Sequence, residues 1–201
     1  MNQYTVKTFS YNELSEAAKE KAREWYRNFD VDFFDDFILE DYKEIAKAFG
    51  LYIDNIYYSG FYSQGDGASF TGSYRYNKGA LKKIKADYPA FLELHAIVER
   101  LQYIQAANFF SIRADISQSG HYYHENTIRI SAYDYENENR SLGHYENDLL
   151  EVFKDYARLI YSGLYDEYKH MQSDEYIEET IIANDYEFIS DGFLFNSRMA
   201  A

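Results

Sequence analysis

The chain contains no cysteine. Disulfides, thiol catalysis and thiolate metal sites are therefore excluded, and the composition suits a reducing cytoplasm. It has one proline and ten glycines, too few for a long flexible linker. No apolar run approaches the roughly 18 residues that a membrane-crossing helix needs. The opening Met1-Asn2-Gln3-Tyr4 has no basic segment leading into an apolar core, so no signal peptide is expected. Bases are also scarce: 20 Lys and Arg stand against 34 Asp and Glu, a net charge of −14. Such a surface repels phosphate, which argues against direct nucleic-acid binding and favours a partner with a basic surface.

In 201 residues, 46% of them hydrophobic, there is material for a real core. The expectation is one domain over 1–192 and a flexible C-terminal tail over 193–201. Tyrosine is abundant, at 23 residues. Its apolar ring and wet hydroxyl suit half-buried sheet faces and recognition surfaces alike. The acids are unevenly spread. Asp30, Asp32, Asp35, Asp36, Glu40 and Asp41 form a run without Lys or Arg. A second run from Ser173 to Gly192 includes Asp174, Glu175, Glu178 and Glu179 and again has no base. These are candidate acidic patches, although a solvated face with no partner is the commoner use of such runs.

Hydrophobic periodicity organises the rest. Tyr4–Phe9 alternates as a short strand. Ser10 and Glu13 have capping-box spacing, and Ser15 is a second cap before a helix to about Asn28. Leu14, Ala18, Ala22, Trp25 and Phe29 form the core face of that helix, with Lys19, Glu20 and Arg23 outward. Phe33, Phe34, Phe37, Ile38, Tyr42, Ile45, Ala46 and Phe49 mark a second helix, closed by Gly50. Leu51–Tyr62 and Ala68–Tyr76 read as a hairpin around a glycine-rich turn. A short basic helix follows, carrying Lys82, Lys83 and Lys85 beyond Lys78. Pro89 opens another, to about Ala107. Phe109–Gln118 and Asn126–Tyr135 alternate as a second hairpin, with Phe110, Ile112, Ala114 and Ile116 sharing a side. A long helix covers Tyr145–Met171, Ser173 caps a last one, and Tyr186–Ile189 reads as an edge strand. The fold class is therefore α+β: a four- or five-stranded, mainly antiparallel sheet with amphipathic helices on one face. The opposite face would be rich in Tyr, Ser, Arg and Thr.

Three segments carry a resemblance. They are Phe9-Ser-Tyr-Asn-Glu-Leu-Ser-Glu-Ala-Ala-Lys-Glu-Lys-Ala22, Ser59-Gly-Phe-Tyr-Ser-Gln-Gly-Asp-Gly-Ala-Ser-Phe70 and Gly120-His-Tyr-Tyr-His-Glu-Asn126. Together with the stretch from Ser173 to Phe188, they resemble a family of small bacteriophage and prophage proteins, some labelled antitoxin-like. The resemblance implies a phage-encoded protein acting inside a bacterium. It implies no catalytic residue.

The two hairpin loops hold the candidate binding residues: Tyr62, Ser63, Gln64 and Asp66 in one, His121, Tyr123, His124 and Glu125 in the other. Gly65 and Gly67 permit positive φ and close approach, while Asp66 can bond its own backbone. If both hairpins turn at the same end of one sheet, Asp66, His121 and His124 are the candidate metal ligands. His-x-x-His in a loop is a weak metal signal, and no metal or cofactor is expected. Ser63, His121 and Asp66 make a formal triad without a nucleophile elbow. The leading expectation is a non-enzymatic protein that binds a host or phage protein, as an acidic inhibitor of a defence or nucleic-acid-processing enzyme. An antitoxin-like partner, a metal-assisted hydrolase and a nucleic-acid binder using the tyrosine-rich face are the alternatives.

Overall fold

The computed structural model describes residues 6–28 and 35–195. In chain order the elements are β1 (Phe9–Ser10), α1 (Glu16–Asn28), α2 (Asp35–Ala48), β2 (Leu51–Tyr58), β3 (Ala68–Arg75), α3 (Ala80–Asp87), α4 (Leu92–Ala107), β4 (Ile112–Gln118), β5 (Ile128–Asp134), α5 (His144–Met171), α6 (Asp174–Ala183) and β6 (Glu187–Phe188). The fold is α+β. A four-stranded antiparallel sheet runs β2-β3-β4-β5, and β1 pairs with β6 in a separate two-stranded ribbon. Where the sequence suggests one domain over 1–192, the contacts gather in two compact units. One is Phe34–Tyr165; the other joins Met1–Phe33 to Asp166–Ala201.

The larger unit is built by alternation. Phe70 and Tyr74 of β3 point to one side and meet Phe153 of α5 edge-to-face, at ring separations of 6.3 and 5.5 Å. Ile112, Ala114 and Ile116 of β4 are buried on that same side. Tyr156, fully buried, donates its hydroxyl to the Tyr42 carbonyl of α2 at 2.6 Å. Of the expected inward residues of α5, Leu149, Phe153, Tyr156, Ile160 and Leu164 are buried, while Tyr168 is half-buried. Heptad-like spacing placed them on one stripe, and the sheet's apolar face receives it. The pairing of β2 with β3 shifts between Ile53 and Asn55. This bulge leaves Asp54 unpaired and keeps Leu51, Ile53, Ile56 and Tyr58 on the core side. Ser73, Arg75, Arg113, Asp115, Ser131 and Tyr133 then share the open side, as the alternation foretold.

Several boundaries differ from the sequence reading, each for a local reason. β4 starts at Ile112 rather than Phe109. Phe109 and Phe110 take left-handed φ values of 53° and 62°, and the Phe110 amide closes α4 by donating to the Gln105 carbonyl at 2.7 Å. Phe110 thus belongs to a helix stop, not to the core side of a strand. Phe37, expected on the core face of α2, is 77% exposed. Pro89 lies in the turn before α4, because the Phe91 amide bonds the Tyr88 carbonyl first. Phe29, Phe33 and Phe34 lie outside the described residues, as do Tyr4 and Thr5. The first strand is only Phe9–Ser10, since its partner β6 offers only Glu187 and Phe188. The sequence's edge strand pairs here and not with the main sheet. Of the expected tail, Phe193–Phe195 is held: Leu194 bridges Phe188, and the Phe195 amide donates to the Glu187 carbonyl at 2.8 Å.

The smaller unit has its own core of Tyr11, Leu14, Ala18, Ala22, Tyr26, Ile177, Ile181 and Phe188. Arg23 is the correction here. It was expected to face outward, yet it turns in to reach Glu178 at 2.5 Å and the Tyr11 hydroxyl at 3.0 Å. Tyr11 in turn donates to Glu178 at 2.8 Å. Burial, then the bond to Glu178, pushes the Tyr11 hydroxyl up to about 12. The same bond holds the Glu178 carboxyl below its ordinary range.

A second polar knot sits at the far end of β5. Asp134 is buried and accepts the amides of Glu136 and Asn137 at 3.0 and 3.2 Å. Arg140 joins it at 2.9 Å and also reaches the Asn108 side chain at 2.8 Å. Burial alone would raise the Asp134 carboxyl, but bonds from Ser111, the two amides and Arg140 outweigh it and hold it below its ordinary value. A lowered folded-state pKa means stability present above the unfolded value, about 3.9, and lost as pH falls through the folded one. The stability gap between wild type and Asp134→Asn, from urea unfolding, should therefore be constant above about pH 5 and shrink below about pH 4. Packing of α5 gives a second test. A Cβ at Gly163 would lie 2.0 Å from the Tyr42 hydroxyl. Helix propensity favours Gly163→Ala by about 1 kcal/mol, whereas overpacking costs about 1–3 kcal/mol. The urea midpoint should fall.

Candidate functional site

Topology brings the two hairpin loops together. In a meander of antiparallel strands, alternate connections lie at opposite ends, so the β2–β3 and β4–β5 loops share one end while α3 and α4 occupy the other connection. The contact is direct. A Cβ built on Gly67 would lie 2.7 Å from the His124 Cβ and 3.4 Å from Glu125 Oε2. Glycine is required here for proximity, since its φ is not left-handed. Gly65, by contrast, has φ 102° and open space around it.

Three further contacts fix the rim. The rings of Tyr57 and Tyr123 stack at 5.3 Å with 20° between planes. The Ser59 hydroxyl donates to the Tyr123 carbonyl at 3.3 Å and accepts the Gly67 amide at 3.2 Å. Glu125 takes the Arg158 guanidinium of α5 at 3.3 Å. On the first loop's other side, the Tyr161 hydroxyl donates to the Gly60 carbonyl at 3.0 Å, and Phe61 packs against Tyr161 and Tyr165. Burial, then the nearby Asp66 charge, raises the Tyr161 hydroxyl.

The polar groups that suggested chemistry are committed to the scaffold. Asp66 Oδ2 accepts the Tyr62 and Ser63 amides at 2.9 and 2.6 Å, so this carboxylate closes its own turn. His124 Nδ1 accepts the Asn126 amide at 3.2 Å, capping the short 3-10 turn Glu125–Thr127. Glu125 Oε2 lies 3.9 Å from the same nitrogen, but that lone pair already holds the amide, so the hydrogen bond describes it better than an ion pair. His121 is exposed. Among the described residues no three His, Cys, Asp or Glu side chains gather in a metal-ligating group. The set Asp66, His121 and His124 therefore does not assemble as a metal-ligating group. What the rim leaves to solvent is aromatic and amide surface: Tyr62 is 80% exposed and Tyr122 74%, beside Ser63, Gln64 and the partly exposed Tyr123.

The acidic runs fare unequally. Asp30 and Asp32 lie outside the described residues. Asp35 opens α2, Asp36 and Asp41 are exposed, and Glu40 pairs with Lys43 at 2.6 Å. Glu175 and Glu179 are exposed on α6. Asp174 and Glu178, expected in a free patch, are instead joined to Arg27 and Arg23. Sequence distance hid these pairs, because their partners lie on α1. The sequence reading also passed over Arg75, which alternation alone places beside Arg113 on the open face.

These features define an α+β protein whose sheet carries a two-loop rim at one end and an uncovered polar face. Residues 34–174 match a domain of unknown function, DUF8835, and the chain belongs to that family. The match covers the whole of the larger unit, rim included. No curated protein and no solved structure matches the chain. No helix among the described residues is long and apolar enough to cross a membrane.

The close approach at Gly67 is directly testable. Gly67→Ala should lower stability by about 1–3 kcal/mol and shift the His124 imidazole resonances. Gly65→Ala should cost about 1 kcal/mol through backbone strain and leave His124 unmoved. Equal effects on His124 would contradict the loop contact.

Proposed function

We propose that this is a non-enzymatic binding protein that captures a protein partner with the rim where its two hairpin loops meet. The observation that supports this reading is the division of labour at the rim. Asp66, His124 and Glu125 spend their hydrogen-bonding capacity on amides and on Arg158. Beside them, Tyr62 and Tyr122 present large, mostly exposed rings to solvent. A catalytic site needs free acid, base or nucleophile in reach of a substrate. A binding site needs rigid aromatic anchors on a stiff frame, because two χ angles are cheap to fix and the ring buries a large area.

The partner is expected to carry a basic surface. Net charge is −14, and Asp36, Asp41, Glu175 and Glu179 remain exposed. The likeness of the Ser59–Phe70 and Gly120–Asn126 segments to bacteriophage proteins favours a partner inside a bacterial cell, where a defence or nucleic-acid-processing enzyme is the proposed target. Masking of a toxin is the second reading and predicts one small basic protein in stoichiometric complex.

Affinity purification of the full chain from bacterial cells should recover one basic protein. Tyr62→Ala with Tyr122→Ala should weaken its binding about 30-fold or more, as loss of interface anchors does. Phe109→Ala, at an exposed apolar position in the turn before β4, at the other end of the sheet from the rim, should leave it unchanged. Binding should also weaken as salt screens the charge complementarity. Retention of the partner by the rim double variant would refute the assignment.

A further inference from the structure

The open face of the sheet carries a second feature that the rim does not use. Arg75 of β3 and Arg113 of β4 are direct cross-strand partners, and Arg113 is opposite Tyr133 of β5. Like charges placed directly opposite on a sheet repel and cost stability. Elsewhere the protein neutralises its arginines: Arg23, Arg27, Arg100, Arg140 and Arg158 each meet a carboxylate. Arg75 and Arg113 meet none within ion-pair distance among the described residues. Each instead lies over a tyrosine ring, Arg75 at 4.6 Å from Tyr52 and Arg113 at 4.0 Å from Tyr135. Arg75 also donates to the Tyr52 hydroxyl at 2.9 Å. These contacts hold both guanidiniums on the face without cancelling their charge. Between them lies a depression of about 460 Å³, lined by Tyr52, Ser73, Arg75, Arg113, Asp115 and Tyr133.

We propose that this depression binds a mononucleotide, with its phosphate between Arg75 and Arg113. Two planar guanidinium forks match a phosphate dianion in charge and in donor geometry. The exposed Tyr133 offers a ring for a base to stack on. Asp115 and Ser73 are direct cross-strand partners in the same hollow, a carboxylate acceptor and a hydroxyl suited to the sugar hydroxyls. The charge distribution selects a single phosphate over a strand. The third arginine of this face, Arg129, is turned to the carbonyls of Asn126 and Ile128 at 2.8 and 2.9 Å. Part of its donor fork is thus engaged by the backbone, and Asp115 stands beside the Arg75–Arg113 pair on a chain of net charge −14. A polyanion extending past this face meets a net repulsion.

Isothermal titration of the full chain with adenosine 5′-monophosphate tests this. Saturable binding is expected, with adenosine and inorganic phosphate each weaker than the nucleotide. Arg75→Gln and Arg113→Gln should each weaken it about tenfold or more, the usual loss for a charge-assisted bond. Arg129→Gln and the rim variant Tyr122→Ala should leave it unchanged, which separates this site from the protein-binding rim. Absence of binding by folded wild-type protein, or unchanged binding in both arginine variants, would overturn the proposal. So would tighter binding of a short single-stranded oligonucleotide or of an acidic peptide with the same arginine dependence.

Discussion

The larger unit depends on a contact between two backbones that only a glycine allows. Gly67 brings the first hairpin loop against the Cβ of His124 in the second. Everything at that end of the sheet is then fixed by short-range bonds. Ser59 bridges the Tyr123 carbonyl and the Gly67 amide, Tyr57 stacks on Tyr123, and Asp66 ties its turn to itself. Long loops are ordinarily mobile and costly to order. Here the ordering is met inside the fold, before any partner arrives, so a partner meets a preorganised surface.

The same economy explains why residues that look chemical are structural. A carboxylate closing an Asx-type turn and an imidazole accepting an amide have their lone pairs in use. Buried or half-buried polar groups need partners, found either nearby in the chain or across it. The knots around Asp134 with Arg140 and around Arg23 with Tyr11 and Glu178 follow that rule at other places in the fold. Arg75 and Arg113 are the exception. Their rings of contact are tyrosines rather than carboxylates. Like charges directly opposite across two strands cost the free chain stability.

Much of this was legible in the sequence because it rests on periodicity. Alternation through Ile112, Ala114 and Ile116 and the 3.6-residue stripe of α5 gave the sheet, its helical cover and the polar composition of the open face. Ser10, Ser15, Gly50 and Ser173 marked element ends through local backbone chemistry. Two hairpins were legible, whereas the order of their strands in one sheet, and with it the meeting of the loops, was not. What was not legible depends on distant partners or on local strain. Nothing near Asp174 or Glu178 announces Arg27 and Arg23 across the chain. The left-handed pair Phe109 and Phe110 looks like strand by composition, because aromatic residues favour strands and rarely adopt positive φ. The role of Asp66 was open between turn and ligand, and only the positions of the Tyr62 and Ser63 amides decide it.

The central claim is that the two loops behave as one rigid rim, and the stack of Tyr57 on Tyr123 is its most isolated element. A double-mutant cycle with Tyr57→Ala and Tyr123→Ala, read by urea unfolding, measures that coupling. Aromatic pairs of this kind contribute about 0.5–1.5 kcal/mol beyond burial, and a coupling in that range is predicted. Strict additivity of the two substitutions would mean that the loops do not hold each other, and the account of the rim would fail.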